Sequence, residues 1–390
     1  MWPFRFLVLT SLLFFSVACG DDDAGADPDA GAGASADAGA DAGFAGNPAP
    51  AAPADLQELL DLGIDEFLGA AQPADSETLD GIDGVADGSV VYDFDPDDGP
   101  ICLRGAPFQM SLLDQGSDDL VIYLQGGGAC VSAICQATEQ ASPRGVPQRG
   151  LLDTGDPDNP VADWNLVYVP YCDGSVFAGD SEIEEGFDAQ GARHHRGQRN
   201  FSAALDRALE HFPNPGRVLL AGSSAGGWGT VYHRALVRHV YPDAQLFVLN
   251  DAGLGLSTNY SVVAGPWGSI ARYQPESCER CSRSPHMLEY VKWYMGQDPS
   301  VVVGDFSAWQ DSVIQRFTFS ANGEALSELI AAETQKPADA YPERYKRFFI
   351  DGSSHTALGS MHDTQIDGVT FGQWIGWMID RDPRWQELLQ

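Results

Sequence analysis

Ser224 stands at the centre of Gly222-Ser-Ser-Ala-Gly226, directly after the apolar run Val218 to Ala221 and ahead of a helically spaced set, Val231, Ala235 and Leu236. Small residues on both sides let the chain turn tightly from strand to helix. A serine at the tip of such a turn projects outward, and the amide that follows it faces an incoming carbonyl oxygen. The chemistry this predicts is acyl transfer, with Ser224 as nucleophile. That chemistry needs a base, a group that orients the base, and donors for the oxyanion.

Of eight histidines, His355 is the one placed to act as base. It follows the run Phe348 to Ile350, near the C-terminus, with a helical pattern from Gln373 to Met378 behind it. The order Ser, Asp, His along the chain is that of α/β-hydrolases. His194 and His195 lie in an Arg-rich stretch, His211 near the end of one helical pattern, and His233 and His239 on the helix after the elbow. Asp311 is favoured as the orienting acid, although it also opens a helical pattern and fits an N-cap. Asp305, nearer the end of the run Val301 to Val303, is the alternative. For the oxyanion, Leu120 to Leu124 runs into Gln125-Gly-Gly-Gly-Ala-Cys130. Glycines let backbone amides approach a ligand without Cβ obstruction, so the amides of Gly127, Gly128 and Ala225 are the predicted donors. A phosphate-binding loop is not indicated, because no Gly-Lys-Ser/Thr follows. The chemistry calls for no cofactor and no metal.

These residues need a frame. Short apolar runs at 120–124, 166–169, 218–221, 246–249, 301–303 and 348–350 alternate with helical patterns at 201–212, 232–240 and 324–332. That alternation predicts an α/β fold of the α/β-hydrolase kind, a mostly parallel sheet with helices on both faces. Val90 to Tyr92 and Phe108 to Leu113 fit antiparallel edge strands. Ligands in such sheets bind beyond the carboxyl ends of the strands, where the candidate residues fall. The Trp-, Tyr- and Pro-rich segment 257–300 reads as an insertion that caps the site.

The N-terminal part is of another kind. Residues 1–18 place Arg5 ahead of an apolar core and read as a secretory signal. Ser16-Val-Ala-Cys19 followed by Gly-Asp-Asp-Asp resembles a lipoprotein cleavage box, which makes Cys19 the candidate for lipidation; simple secretion with cleavage near Ala18 is the alternative. Residues 19–55 are mostly Ala, Gly, Asp and Pro, too poor in large apolar side chains to offset chain entropy, and read as a tether. Residues 56–390 then form one catalytic domain. The expected setting is export, either anchored by lipid to the bacterial cell envelope (the outer membrane) or secreted, as a monomer that touches membrane only through its anchor.

A formal net charge of −34 over 390 residues argues against nucleic acid as a partner, since phosphate contacts need Lys and Arg. With Cys19 set aside, six cysteines remain, an even number suited to disulfides in an exported chain. Cys130/Cys135 and Cys278/Cys281 are the cheapest pairs by loop length, leaving Cys102/Cys172. Cys278 and Cys281 alternatively read as half of a zinc site.

Together the motifs resemble the pectin acetylesterase and Notum-type carboxylesterase family over roughly residues 100 to 360. The resemblance rests on Cys102-Leu-Arg-Gly, Leu124-Gln-Gly-Gly-Gly-Ala-Cys130 with Cys135, and Trp164 to Asp180 with its Tyr171-Cys-Asp-Gly-Ser block. Arg196-Gly-Gln-Arg199, the elbow and Asn250-Asp-Ala-Gly253 complete it. It implies a serine carboxylesterase with Ser224 as nucleophile, His355 as base, and Gly127, Gly128 and Ala225 around the oxyanion. The expected substrate is an acylated small molecule or an O-acetylated extracellular polysaccharide. A deacylase for longer chains on lipid or protein, and a catalytically silent binding protein of the same fold, are the alternatives.

Overall fold

Leu120, Ile122 and Leu124 turn to one face of a central sheet and Val121 to the other, and all four are buried. This two-residue alternation with apolar groups on both faces is what a strand covered by helices on each side requires. The computed structural model describes residues 54–131, 134–183, 191–257 and 265–390. The signal, Cys19 and nearly all of the tether lie outside the described residues.

The main sheet has ten strands. In chain order they are β1 (Pro73–Leu79), β2 (Ser89–Phe94), β3 (Gln109–Leu113), β4 (Asp119–Leu124) and β5 (Asn165–Val169). They continue as β6 (Arg217–Ser223), β7 (Gln245–Asp251), β8 (Val302–Ala308), β9 (Tyr345–Ile350) and β10 (Leu388–Leu389). Across the sheet the order is β1-β2-β3-β5-β4-β6-β7-β8-β9-β10. From β5 to β10 every pairing is parallel, and β3, β2 and β1 extend the sheet antiparallel. The α/β-hydrolase-like frame read from the sequence is therefore present.

Seven helices accompany the sheet among the described residues: α1 (Gln57–Asp61), α2 (Gly197–His211), α3 (Ala225–Val240), α4 (Leu288–Gln297), α5 (Ser312–Thr318), α6 (Gly323–Ala340) and α7 (Phe371–Ile379). Phe201 and Leu205 of α2 and Val231 and Leu236 of α3 share a core with Leu120, Ile122, Val218 and Leu220. On the opposite face Phe371, Trp374 and Met378 of α7 pack with Val121, Leu219, Phe247 and Phe348. A third cluster joins Ile314 of α5 and Leu326 and Ile330 of α6 to Phe349.

Two readings change. Val90 to Tyr92 and Phe108 to Leu113 are antiparallel strands but not the edge, because the mostly exposed, polar β1 pairs outside β2. The strand that begins near Val301 runs on to Ala308, five residues past the apolar run. Asp305 therefore lies inside β8, opposite Asn250 and Arg347, and not on a loop. Of the segment 257–300, α4 buries Leu288, Tyr290, Val291, Tyr294 and Met295 in the body of the protein, and Trp267 reaches the site described next.

Cys102–Cys172, Cys130–Cys135 and Cys278–Cys281 are disulfides. The thiols of Cys278 and Cys281 are thus joined to one another, which removes the zinc reading. Three disulfides suit an exported chain. No helix among the described residues is long and apolar enough to cross a membrane.

Candidate active site

The candidate residues leave the sheet at the carboxyl ends of β4, β6, β8 and β9, with β7 lying between β6 and β8. At the end of β6, Ser224 has φ 56° and ψ −115°, a left-handed conformation that non-glycine residues seldom adopt. Its N–H donates to the Asp251 carbonyl at 2.7 Å, and its carbonyl accepts from Trp228 N–H at 3.0 Å, opening α3. Gly226 is needed for this approach: a Cβ there would stand 1.9 Å from the Leu124 carbonyl oxygen. The elbow is thus wedged against β4, and its serine is pushed clear of the sheet.

His355 Nδ1 lies 2.6 Å from Asp311 Oδ2. Asp311 is fully buried and caps α5 with its other oxygen, which accepts from the Val313 and Ile314 amides at 2.9 and 3.0 Å. The N-cap reading and the orienting-acid reading therefore coincide in one carboxylate. A carboxylate on Nδ1 selects the tautomer with its proton there and leaves Nε2 as an acceptor. His355 Nε2 is buried with no hydrogen-bond partner among the described residues, and His355 and Ser224 line one cavity. Asp305 is not brought to the site. It accepts from the Tyr345 hydroxyl at 2.5 Å, and burial raises its pKa to about 6.

The glycine loop after β4 enters a hairpin, Gly128–Val131 paired with Ile134–Ala137 and closed by Cys130–Cys135. The Gly127 carbonyl accepts from Thr138 N–H at 2.8 Å. A trans peptide places N–H opposite C=O, so the Gly128 N–H points away from the hairpin. The same geometry holds at the elbow. The Ser224 carbonyl is taken by Trp228, so the Ala225 N–H projects outward from the N-terminus of α3, where the helix dipole adds positive potential. Gly128 has φ +81°, and a Cβ there would meet the Gln136 carbonyl oxygen at 2.0 Å. Only glycine fits.

Two cavities meet at Ser224 and Gly128. One, of about 720 Å³, holds His355 and is bordered by Tyr123, Gln125, Arg149 and Ser360. The other measures only about 40 Å³ and is walled by Val176, Trp228, Leu256, Trp267, Ile314 and Phe317. Trp267 is fixed there by its indole N–H, which donates to the Cys130 carbonyl at 2.9 Å. Val176 comes from the Tyr171 to Asp180 block, where Val176 and Phe177 adopt φ 51° and 67°. That block is held by the Tyr171 hydroxyl, which accepts from Val176 N–H at 2.9 Å, and by His233 on the Phe177 carbonyl at 2.7 Å.

One polar group was not anticipated as part of the site. Asp251, at the end of β7, is fully buried and accepts from the Ser223 hydroxyl at 2.6 Å and from the Ala357 and Leu358 amides at 2.8 and 3.0 Å. Burial raises its pKa. The sequence held a signal for it only as part of the Asn250 to Gly253 block.

An open parallel sheet of this order, with a strained Ser224 elbow after β6 and a histidine–carboxylate pair beyond β8 and β9, is the α/β-hydrolase arrangement. Within that class, residues 91–264 match the family model described as Pectinacetylesterase. Similar proteins include pectin acetylesterase 4 of Arabidopsis thaliana, 32% identical over 35% of this chain and 36% of the relative. Pectin acetylesterase 11 of the same plant is 26% identical over 54% of this chain and 60% of the relative. Palmitoleoyl-protein carboxylesterase notum1' of Xenopus laevis is 29% identical over 39% and 34%. The chain thus spans between about a third and 60% of the length of these relatives.

Proposed function

We propose that the protein is a serine carboxylesterase that removes short acyl groups. Ser224 attacks the ester carbonyl, and His355 Nε2 takes the hydroxyl proton and returns it to the leaving alcohol. Asp311 holds the imidazole at Nδ1 through this cycle. The amides of Gly127, Gly128 and Ala225 receive the oxyanion; loss of one such donor costs roughly 10²–10³ in rate. Water, activated in turn by His355, then attacks the acyl-enzyme and releases the acid.

The observation that carries this reading is the pairing of unequal cavities at Ser224. The apolar one, about 40 Å³, suits the acyl group. One water occupies ~10–15 Å³ on such a measure, so the space holds about three groups of that size. An acetyl group fits and an octanoyl chain does not. The cavity of about 720 Å³ is polar enough and wide enough for the leaving alcohol. A sugar ring bearing an O-acetyl group, within an extracellular polysaccharide, is the substrate we infer; the names of the Arabidopsis relatives and the exported character of the chain support it. The enzyme acts as a monomer, held to the envelope by lipid on Cys19. Deacylation of long chains, the activity named for the Xenopus relative, is disfavoured by the small cavity.

The test compares p-nitrophenyl acetate, butyrate and octanoate on wild type and Ser224→Ala. Acetate turnover that falls steeply with chain length and vanishes in the variant is the expected result. Equal turnover of octanoate refutes the acyl-length reading, and activity retained in Ser224→Ala refutes the mechanism.

A further inference from the structure

We infer that Asp251 is a positioning residue that sets His355 over Ser224 by tying the two loops together. The inference rests on the Ser224 and His355 reading above. Ser223 and Asp251 are register partners at the ends of β6 and β7, so the carboxylate starts beside the elbow. Its Oδ2 accepts from the Ser223 hydroxyl at 2.6 Å and from Leu358 N–H at 3.0 Å, and its Oδ1 accepts from Ala357 N–H at 2.8 Å. One side chain therefore grips the residue before Ser224 and the second and third residues after His355.

The backbone amides of Ala357 and Leu358 can only donate to Asp251, and the remaining directions follow for the ionised carboxylate. An ionised carboxylate only accepts, so the Ser223 hydroxyl donates to it. The Tyr123 hydroxyl, 3.0 Å from Ser223 Oγ, must then donate to Ser223. Donation thus runs from Tyr123 to Ser223 to Asp251 and ends at the carboxylate, which the Ala357 and Leu358 amides of the His355 loop meet from the other side. The backbone of Asp251 also acts here, since its carbonyl accepts the Ser224 amide at 2.7 Å.

The His355 loop needs such a tie. Thr356 has φ 62°, a conformation that is unfavourable for a β-branched residue. It persists only where neighbouring contacts over-determine it, and the amides of the next two residues are the ones Asp251 holds. A fully buried carboxylate is costly unless its oxygens are satisfied. Three donors satisfy it, and an amide in its place would turn an NH₂ toward one of the backbone N–H groups. The residue type thus matches a task that neither an apolar side chain nor Asn performs.

The test measures kcat, KM and thermal melting for Asp251→Asn and Ser223→Ala, each alone and combined with His355→Ala, using p-nitrophenyl acetate. Asp251→Asn should lower kcat about 100-fold, the loss expected for misplacing a reacting group by ~1 Å, with KM within about threefold. Ser223→Ala, which removes one donor and frees no backbone amide, should lower kcat about 5- to 10-fold, a partial version of the same misplacement. In the His355→Ala background both effects should shrink below about twofold, because no imidazole remains to be aimed. A purely structural role predicts equal losses with and without His355. That result, or wild-type kcat in Ser223→Ala, overturns the inference. If Asp251→Asn fails to fold, Ser223→Ala decides alone by the same criterion. Ser224→Ala is run alongside: activity retained there removes the serine reading itself, a different failure from intact Ser224 dependence with silent Asp251 and Ser223 variants.

Discussion

Asp311 gives one carboxylate oxygen to His355 Nδ1 at 2.6 Å and the other to the first amides of α5 at 2.9 and 3.0 Å. A single side chain thus starts a helix and orients an imidazole, and the two tasks separate by substitution. Asn is as good an N-cap as Asp, but it does not favour the tautomer that leaves Nε2 as acceptor. Asp311→Asn should therefore lower kcat by roughly 10³–10⁴ while the melting temperature stays close to wild type. Asp311→Ala should lose the same activity and in addition about 1 kcal/mol of stability from the missing cap. Equal melting of the two variants contradicts the capping role, and an active Asp311→Asn contradicts the orienting one.

The disulfides divide in a comparable way. Cys130–Cys135 closes the hairpin that begins at Gly128, whereas Cys278–Cys281 links the ends of a short loop ahead of α4. Replacing Cys130 and Cys135 together by Ser loosens the strand that aims the Gly128 amide. Turnover of p-nitrophenyl acetate should drop by roughly 10- to 100-fold, less than the full loss of an oxyanion donor. The corresponding change at Cys278 and Cys281 should lower the melting temperature and leave kcat within about twofold, since only chain entropy is altered. An unchanged kcat in the first variant would show that the hairpin holds Gly128 without its disulfide.

Much of this site could be read from residue types because its chemistry is local. Ser224 sits in a motif whose spacing itself dictates the turn, and His355 follows the apolar run Phe348 to Ile350. Asp311 was harder, because one sequence signal serves both its roles. Asp305 competed with it because β8 continues through the polar Asp305 and Ser307, which are buried under neighbouring strands and helices. Apolar patterning cannot reveal such a continuation. Asp251 depends on the β6–β7 register and on a loop about 100 residues further along the chain, neither of which is encoded near it. The small cavity is assembled by Trp228, Trp267 and Phe317 from three separate segments, so its size was beyond any local pattern. The exposed, polar β1 carries no alternation that would distinguish it from a loop.

Asp305 also sets a pH dependence of stability. Burial raises its pKa to about 6, against ~3.9 in an unfolded chain. Between these values the native state binds more protons than the unfolded state, so this group's contribution to stability falls as pH rises from about 4 to 6. At pH 7.5 the buried charge costs roughly 2–3 kcal/mol relative to a neutral group. His195 and His233, both lowered to about 4 by burial, act oppositely: their contribution is lost as pH falls from about 6.5 toward 4. Both are present in wild type and variant alike, so the difference isolates Asp305. Asp305→Asn keeps an acceptor for the Tyr345 hydroxyl. It should be more stable than wild type at pH 7.5, with the gap closing by pH 4. Urea melts at four pH values check this, and a gap that widens on acidification contradicts it.

The wall of the small cavity offers the clearest control of substrate choice. Phe317 lies on α5, only partly buried, whereas Trp267 is fully buried and hydrogen-bonded to the hairpin. Truncating Phe317 therefore enlarges the acyl side without unpairing a polar group or disturbing the glycine loop. Each methylene admitted to or refused by an apolar pocket changes discrimination by roughly 10- to 200-fold. Phe317→Ala should accordingly raise the ratio of kcat/KM for octanoate over acetate by at least about tenfold, mainly by improving octanoate, with acetate turnover within about threefold of wild type. Trp267→Ala should gain octanoate turnover too but lose acetate activity, because the Cys130 carbonyl would lose its donor and the hairpin its support. Chain-length profiles of the two variants check both statements. An octanoate ratio that stays at the wild-type value in Phe317→Ala would place the acyl chain elsewhere, in the larger cavity beside Tyr123 and Arg149.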